Sequence, residues 1–144
     1  MSTAELPDGD WIRGITIRQP WATCILAGKN VENRPKPWSW RGWVLLHAGK
    51  AKPEPALLRN ALVARTVRGR GLPLGAVIGV ARLTDCHQDP DGAPPCTEWA
   101  EPGAWHLVVT DVQELALPIV VGGQLGLWRP TQDQVRGQLP DLRP

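Results

Sequence analysis

A chain of 144 residues with 42% apolar and 21% charged content is sized for one globular domain and is too short for a core plus a separate substrate domain. The net charge of +2 conceals a skew: residues 29–70 carry a net +8, while residues 1–28 and 71–144 carry −1 and −5. Such a block suits an anionic partner, although an Arg-rich helix and loop that merely solvate one face would leave the same pattern.

The start of the chain, MSTAELPDGDW, has neither a basic leader region nor an apolar one, and no apolar run approaches the ~18 residues of a membrane span. A soluble, cytoplasmic protein without membrane association is expected. Three cysteines without a C-x-x-C pair argue against a disulfide scaffold. Eight Trp with no Phe or Tyr mean that every core position needing a large flat side chain must use Trp.

Residues 1–12 read as a flexible segment ahead of a single domain over 13–138, with 139–144 as a tail. Gly14-Ile15-Thr16-Ile17-Arg18 is short and β-branched and reads as a strand. Pro20 suits the first turn of a helix with Trp21, Ile25 and Leu26 on its apolar side, and Gly28 suits the left-handed position that ends it. From Asn30 to Arg34 the chain is extended by the approach to Pro35 and Pro37, placing Asn30, Glu32 and Arg34 on one face and Val31 on the other. Lys29 then needs the turn at Gly28 to come round to Glu32.

Gly42 to His47 is apolar on both faces and reads as a central strand. Pro55 to about Arg68 reads as one helix with Leu57, Leu58, Ala61, Leu62 and Val67 inside. Ala76 to Asp85 is a long strand in which Gly79 marks a bulge or a close approach. After a Pro/Gly/Asp loop over Gln88 to Pro95 come strands at Ala104 to Asp111 and Leu117 to Val121, and a last pairing at Leu125 to Trp128. Thr131 caps a closing helix of about two turns. Five or six strands with three helical segments and no βαβ rhythm imply an α+β, mainly β fold, a small mixed or antiparallel barrel with flanking helices.

Several chemistries are poorly supplied. The only serines are Ser2 and Ser39, and neither stands in a nucleophile elbow. Gly69-x-Gly71 and Gly122-Gly123-x-x-Gly126 do not open a helix after a strand, so they read as turns and no cofactor is implied. Cys86-His87, Cys96 and His106 offer four metal ligands, but at a spacing of no common metal module, and no metal is expected. Trp38 and Trp40 share a face of an extended segment and can stack on a base or pack on the rim, with Arg41 beside them. His47 ends the central strand ahead of a basic loop containing Lys50. Lys29, Glu32 and Arg34 form either a solvated charge run or a half-buried constellation of two cations about a carboxylate.

Strand-Gln19-Pro20-Trp21-helix, then Lys29-x-x-Glu32-x-Arg34, then Arg41-Gly42-Trp43-Val44-Leu45-Leu46-His47-Ala48-Gly49-Lys50 resembles the ASCH domain, a member of the PUA-like β-barrel superfamily with the signature G-x-K-x-x-E-x-R. The signature glycine falls on Ala27, and this chain's glycine stands one place later at Gly28. The resemblance implies a cleft between barrel and first helix that takes RNA or a nucleotide, lined by Gln19, Pro20, Trp21, Lys29, Glu32, Arg34 and His47, with Trp38, Trp40, Arg41 and Lys50 as weaker contacts. Some ASCH proteins are amidohydrolases that remove the acetyl group of N4-acetylcytidine with a lysine corresponding to Lys29. In that group a threonine stands where this chain has Glu32, so a covalent hydroxyl mechanism is not implied here. Glu98 and Glu101 are the candidates for a distal carboxylate.

Three readings follow from these residues. The first is a module that binds RNA or a nucleotide. In the second, an amidohydrolase, Lys29 is the base, Glu32 positions the water and Arg34 or a backbone N–H stabilises the oxyanion. In the third, a non-catalytic interaction domain, the triplet only buttresses the barrel.

Overall fold

The computed structural model describes residues 9–135 and 137–143. The chain is α+β and mainly β: one six-stranded sheet curls into a half-barrel and carries four short helices. The strands are β1 (Ile12–Ile17), β2 (Val31–Arg34), β3 (Gly42–Ala48), β4 (Ala76–His87), β5 (Trp105–Val120) and β6 (Leu127–Trp128). The helices are α1 (Trp21–Leu26), α2 (Pro55–Leu58), α3 (Ala61–Thr66) and α4 (Gln132–Val135). Across the sheet the order is β2-β5-β4-β3-β1-β6, with β1 parallel to β3 and every other pairing antiparallel.

The central position of β3 follows from its residues. Val44 and Leu46 enter one apolar cluster with Ile15, Ile17, Ala22 and Ile25, beneath α1. Trp43 and Leu45 enter a second with Ile12, Val77, Val80, Ile119, Val135, Leu139 and Leu142. A strand with both faces buried needs a layer on each side, and here α1 supplies one while α4 and the end of the chain supply the other. The described part of the expected 139–144 tail is therefore core: Leu139 is 1% and Leu142 8% exposed, and the Trp43 indole donates to the Arg143 carbonyl at 2.6 Å. The expected flexible start also shrinks. Ile12 opens β1, Trp11 accepts a backbone bond from Trp43, and Asp10 pairs with Arg13 at 2.7 Å; residues 1–8 lie outside the described residues.

Other boundaries depart from expectation for identifiable reasons. The helix expected over Pro55 to Arg68 breaks into α2 and α3, because Asn60 takes extended geometry and its Oδ1 accepts from the N–H groups of Leu62 and Val63. Val63, rather than Ala61, is the buried residue of α3. The two strands expected between Ala104 and Val121 are one strand, β5, whose direction changes at Asp111, a residue at φ +51°, and at register shifts against β4. One of those shifts lies at Gly79, where a Cβ would stand 2.8 Å from the Gln113 carbonyl oxygen, so the expected bulge and close approach coincide. Pro20 caps α1 instead of entering its first turn, and α4 makes one turn within the described residues. Among those residues no helix is long and apolar enough to cross a membrane.

Because Leu139 is packed against β3 and β4, Leu139→Ala should destabilise the protein by about 2–5 kcal/mol in urea denaturation, where a free tail would show almost no change.

Candidate functional site

The chain leaves α1 through Ala27 and Gly28. Gly28 stands at φ +127°, a conformation side chains resist, and the Lys29 N–H then returns to the Cys24 carbonyl at 2.9 Å. This reversal folds the Lys29 side chain back under β2. Its ammonium donates to the Val31 carbonyl at 2.5 Å and to Glu32 Oε1 at 3.0 Å, and lies 5.7 Å from the centre of the Trp21 ring. Lys29 is only 2% exposed. Glu32 is also buried, and its second oxygen accepts from Arg34 Nη2 at 3.0 Å. The triplet is thus one acid between two cations, not a solvated run. An isolated buried ammonium costs several kcal/mol, and here the carboxylate and the carbonyl compensate it.

Arg34 does more than complete the pair. Its Nη2 also donates to the Thr16 carbonyl of β1 at 3.0 Å, although β5, β4 and β3 separate β2 from β1 in the sheet. The guanidinium therefore spans the opening of the curl. It lies 5.2 Å from the Trp38 ring centre, and its Nε is buried without a hydrogen-bond partner.

Beside it opens a cavity of about 380 Å³ lined by Thr16, Arg34, His47, Lys50 and the loop from Gly122 to Gly126. His47 is fully buried, and its Nε2 faces the Val121 carbonyl at 2.6 Å while its Nδ1 faces the Thr16 hydroxyl at 3.2 Å. That pattern assigns the proton to Nε2 and leaves Nδ1 accepting from the hydroxyl. The loop wall comes so close that a Cβ on Gly123 would meet Thr16 Oγ1 at 2.2 Å and His47 Nδ1 at 2.5 Å. These glycines look like plain turn residues in the sequence, yet they form the cavity wall. The pairing of β5 with β4 before the loop and of β6 with β1 after it brings them there.

The expected site residues divide. Arg34, His47 and Lys50 line the cavity, whereas Lys29 and Glu32 stand behind Arg34 and line none of it. No residue of α1 lines it either, so this cavity is not a cleft between barrel and first helix. Gln19 is a structural tie: its amide donates to Thr23 Oγ1 at 2.8 Å and to the Pro73 carbonyl at 3.0 Å, and accepts from the Thr23 N–H. Pro20 is buried, and Trp21 packs on the core and over Lys29. Trp38 and Trp40 carry cations instead of open stacking faces, Arg34 on one and Arg13 on the other. Arg41 is exposed and donates to the Trp38 and Trp40 carbonyls. Glu98 and Glu101 are exposed on the loop after β4, away from this cavity.

Compared with known proteins, the chain matches no family model and no curated sequence.

The buried acid between two cations gives the first expectation. Glu32→Ala should cost about 3–5 kcal/mol in chemical denaturation, and adding Lys29→Met should recover part of that, because the second change removes the stranded ammonium. A loss of a few tenths would mean an exposed pair.

Cys24 supplies the second expectation. Burial pushes its thiol up to about 11, against a smaller opposing influence from Lys29. Below pH ~9 both folded and unfolded states keep the proton; between about 9 and 11 only the unfolded chain loses it, so stability falls with rising pH by roughly 2–3 kcal/mol. At pH 8 a thiol reagent should leave Cys24 unlabelled in the native protein and label it on unfolding.

Proposed function

We propose that this chain is a PUA-like ASCH domain that holds a nucleotide, or the equivalent unit of a single-stranded RNA, in the cavity beside Arg34. The observation that carries this reading is the convergence of two cations, Arg34 and Lys50, with the backbone of a glycine loop on one concave site of about 380 Å³. That volume lies within the ~300–1,000 Å³ of small-molecule sites. Arg34 is held rigidly through Nη2 by Glu32 and the Thr16 carbonyl, so it offers a fixed positive charge to phosphate oxygens. Lys50 is exposed at the rim and adds a second point charge. Leu125, 99% exposed among the lining residues, offers an apolar surface to a base or ribose.

The position of Lys29 favours binding over amide hydrolysis. A hydrolytic base must reach the substrate, whereas the Lys29 ammonium is turned inward onto Val31 and Glu32. Lys29 on this reading is a positioning residue: it holds Glu32, and Glu32 holds Arg34.

A fluorescence anisotropy titration with a short labelled single-stranded RNA, competed by a nucleoside monophosphate, tests the proposal. Affinity should fall linearly with the logarithm of salt, and Lys50→Ala should reduce the slope by about 0.7 without lowering stability. Gly123→Ala should weaken binding severalfold, and Gly122→Ala, where a Cβ meets open space, should not. Absence of binding at low salt, or binding indifferent to both Lys50→Ala and Gly123→Ala, would overturn it. Release of cytidine from N4-acetylcytidine, lost in Lys29→Ala, would replace it with the hydrolytic reading.

A further inference from the structure

The ends of β4 and β5, together with the loop between them, assemble four ligating side chains that the nucleotide cavity does not use. His87 closes β4, His106 is the second residue of β5, and Asp89 and Cys96 come from the intervening loop. Their ligating atoms all lie within 4.8 Å of one another. His87 Nε2 is 3.4 Å from Asp89 Oδ1, His106 Nδ1 is 3.6 Å from Asp89 Oδ2, and Cys96 Sγ is 3.6 Å from His106 Nδ1. Around a tetrahedral zinc ion, with bonds of about 2.0–2.2 Å to nitrogen and oxygen and 2.3 Å to sulfur, ligand atoms stand about 3.3–3.6 Å apart. These three contacts fall at that spacing, with the Asp89 carboxylate meeting each histidine through a different oxygen.

The surroundings orient each ligand as such a centre requires. His106 Nε2 faces the Glu101 carbonyl at 3.0 Å, which places the ring proton there and turns the lone pair of Nδ1 into the cluster. His87 Nδ1 faces Asp85 Oδ2 at 3.3 Å, which turns the lone pair of Nε2 inward and forms a carboxylate-histidine pair of the kind that backs metal ligands. Asp89 Oδ2 accepts from the Cys96 N–H at 2.9 Å, fixing the carboxylate. In the neutral tautomers that these outer contacts favour, Nε2 of His87 and Nδ1 of His106 are acceptors on the side of the Asp89 carboxylate. Acceptor faces acceptor, and a divalent cation between them satisfies all three.

We propose that His87, Asp89, Cys96 and His106 bind a single zinc ion. A donor set of one thiolate, two imidazoles and one carboxylate selects zinc over the oxygen-seeking cations. Binding exchanges the Cys96 thiol proton for the metal. Four protein ligands leave no position for a reacting water, so the role is structural. The ion pins the loop to the sheet, and that loop clasps β2: the Trp99 carbonyl accepts from Asn33 Nδ2 at 2.9 Å, and the Glu101 N–H donates to Asn33 Oδ1 at 3.0 Å. Asn33 lies opposite His106 in the ladder, between Glu32 and Arg34. The spacing H-x-D-x6-C-x9-H belongs to no common module, so pattern matching passes over it. The cluster uses Asp89 where the sequence offered Cys86.

Cobalt titration of chelator-treated protein reads this directly. One equivalent should give the visible bands of tetrahedral cobalt with a near-ultraviolet thiolate charge-transfer band, and zinc should displace it. Cys96→Ser should abolish the thiolate band, Cys86→Ser should retain it, and Asp85→Asn should weaken affinity about tenfold or more. Zinc should raise the midpoint of thermal unfolding of the unmodified protein but not of Asp89→Asn, with circular dichroism checking that each variant is folded. Failure to bind cobalt, binding without the thiolate band, or a band that survives Cys96→Ser would overturn the proposal. None of these readouts depends on RNA or nucleotide binding.

Discussion

One carboxylate between two cations organises this molecule. Glu32 is buried at the edge of the sheet, and its oxygens take Lys29 on one side and Arg34 on the other. Removing either neighbour would strand charge in a poorly solvated place, so the three are tied energetically as a unit. Through Lys29 the unit grips the end of α1, and through Arg34 it reaches the Thr16 carbonyl on β1. The curl of the sheet is thereby closed by a side chain where no backbone ladder joins β2 to β1. A guanidinium suits that span, because its planar fork serves a carboxylate and a carbonyl from one Nη2 and still leaves other donors directed elsewhere.

This constraint explains why the charged triplet divides into support and surface. Lys29 and Glu32 are paired with each other where they sit, Glu32 also holds Arg34, and neither lines the cavity. Arg34 is the residue through which the buried network faces the cavity, where the exposed Lys50 and the glycine loop meet it. Rigidity and access usually conflict in a charged site. Here they are assigned to different residues of one network, which is how a small domain presents a fixed cation without leaving its whole scaffold wet.

Much was legible locally. Periodicity located β1, β3 and β4, and the two-faced apolarity of Gly42 to His47 identified the strand at the centre of the sheet. Gly28 marked the turn that delivers Lys29 to Glu32, and Gly79 marked a bulge. Most of what failed locally failed for long-range reasons. The chain end looked like a tail because Leu139 and Leu142 are spaced too sparsely to read as an element, yet they cover the second face of β3. The helix from Pro55 was read as continuous because its apolar pattern passes through Asn60, whose side chain competes for the backbone N–H groups and restarts the helix. Residues 105–120 were read as two strands because polar residues interrupt them, although β4 and its bulges keep the ladder going.

By itself, then, the sequence determined the mainly β class and the central strand, which rest on periods of two, and set Lys29, Glu32 and Arg34 within six positions without deciding whether they are solvated or buried together. Tertiary structure alone decided which of those charges faces a cavity and that a run of turn glycines forms its wall. It also decided that His87, Asp89, Cys96 and His106 meet at the base of one loop. The first two depend on strands distant in sequence being brought side by side, and the last on the register of β4 against β5 across their loop. That proximity is a property of the sheet's order and curl, which no local spacing of residues encodes.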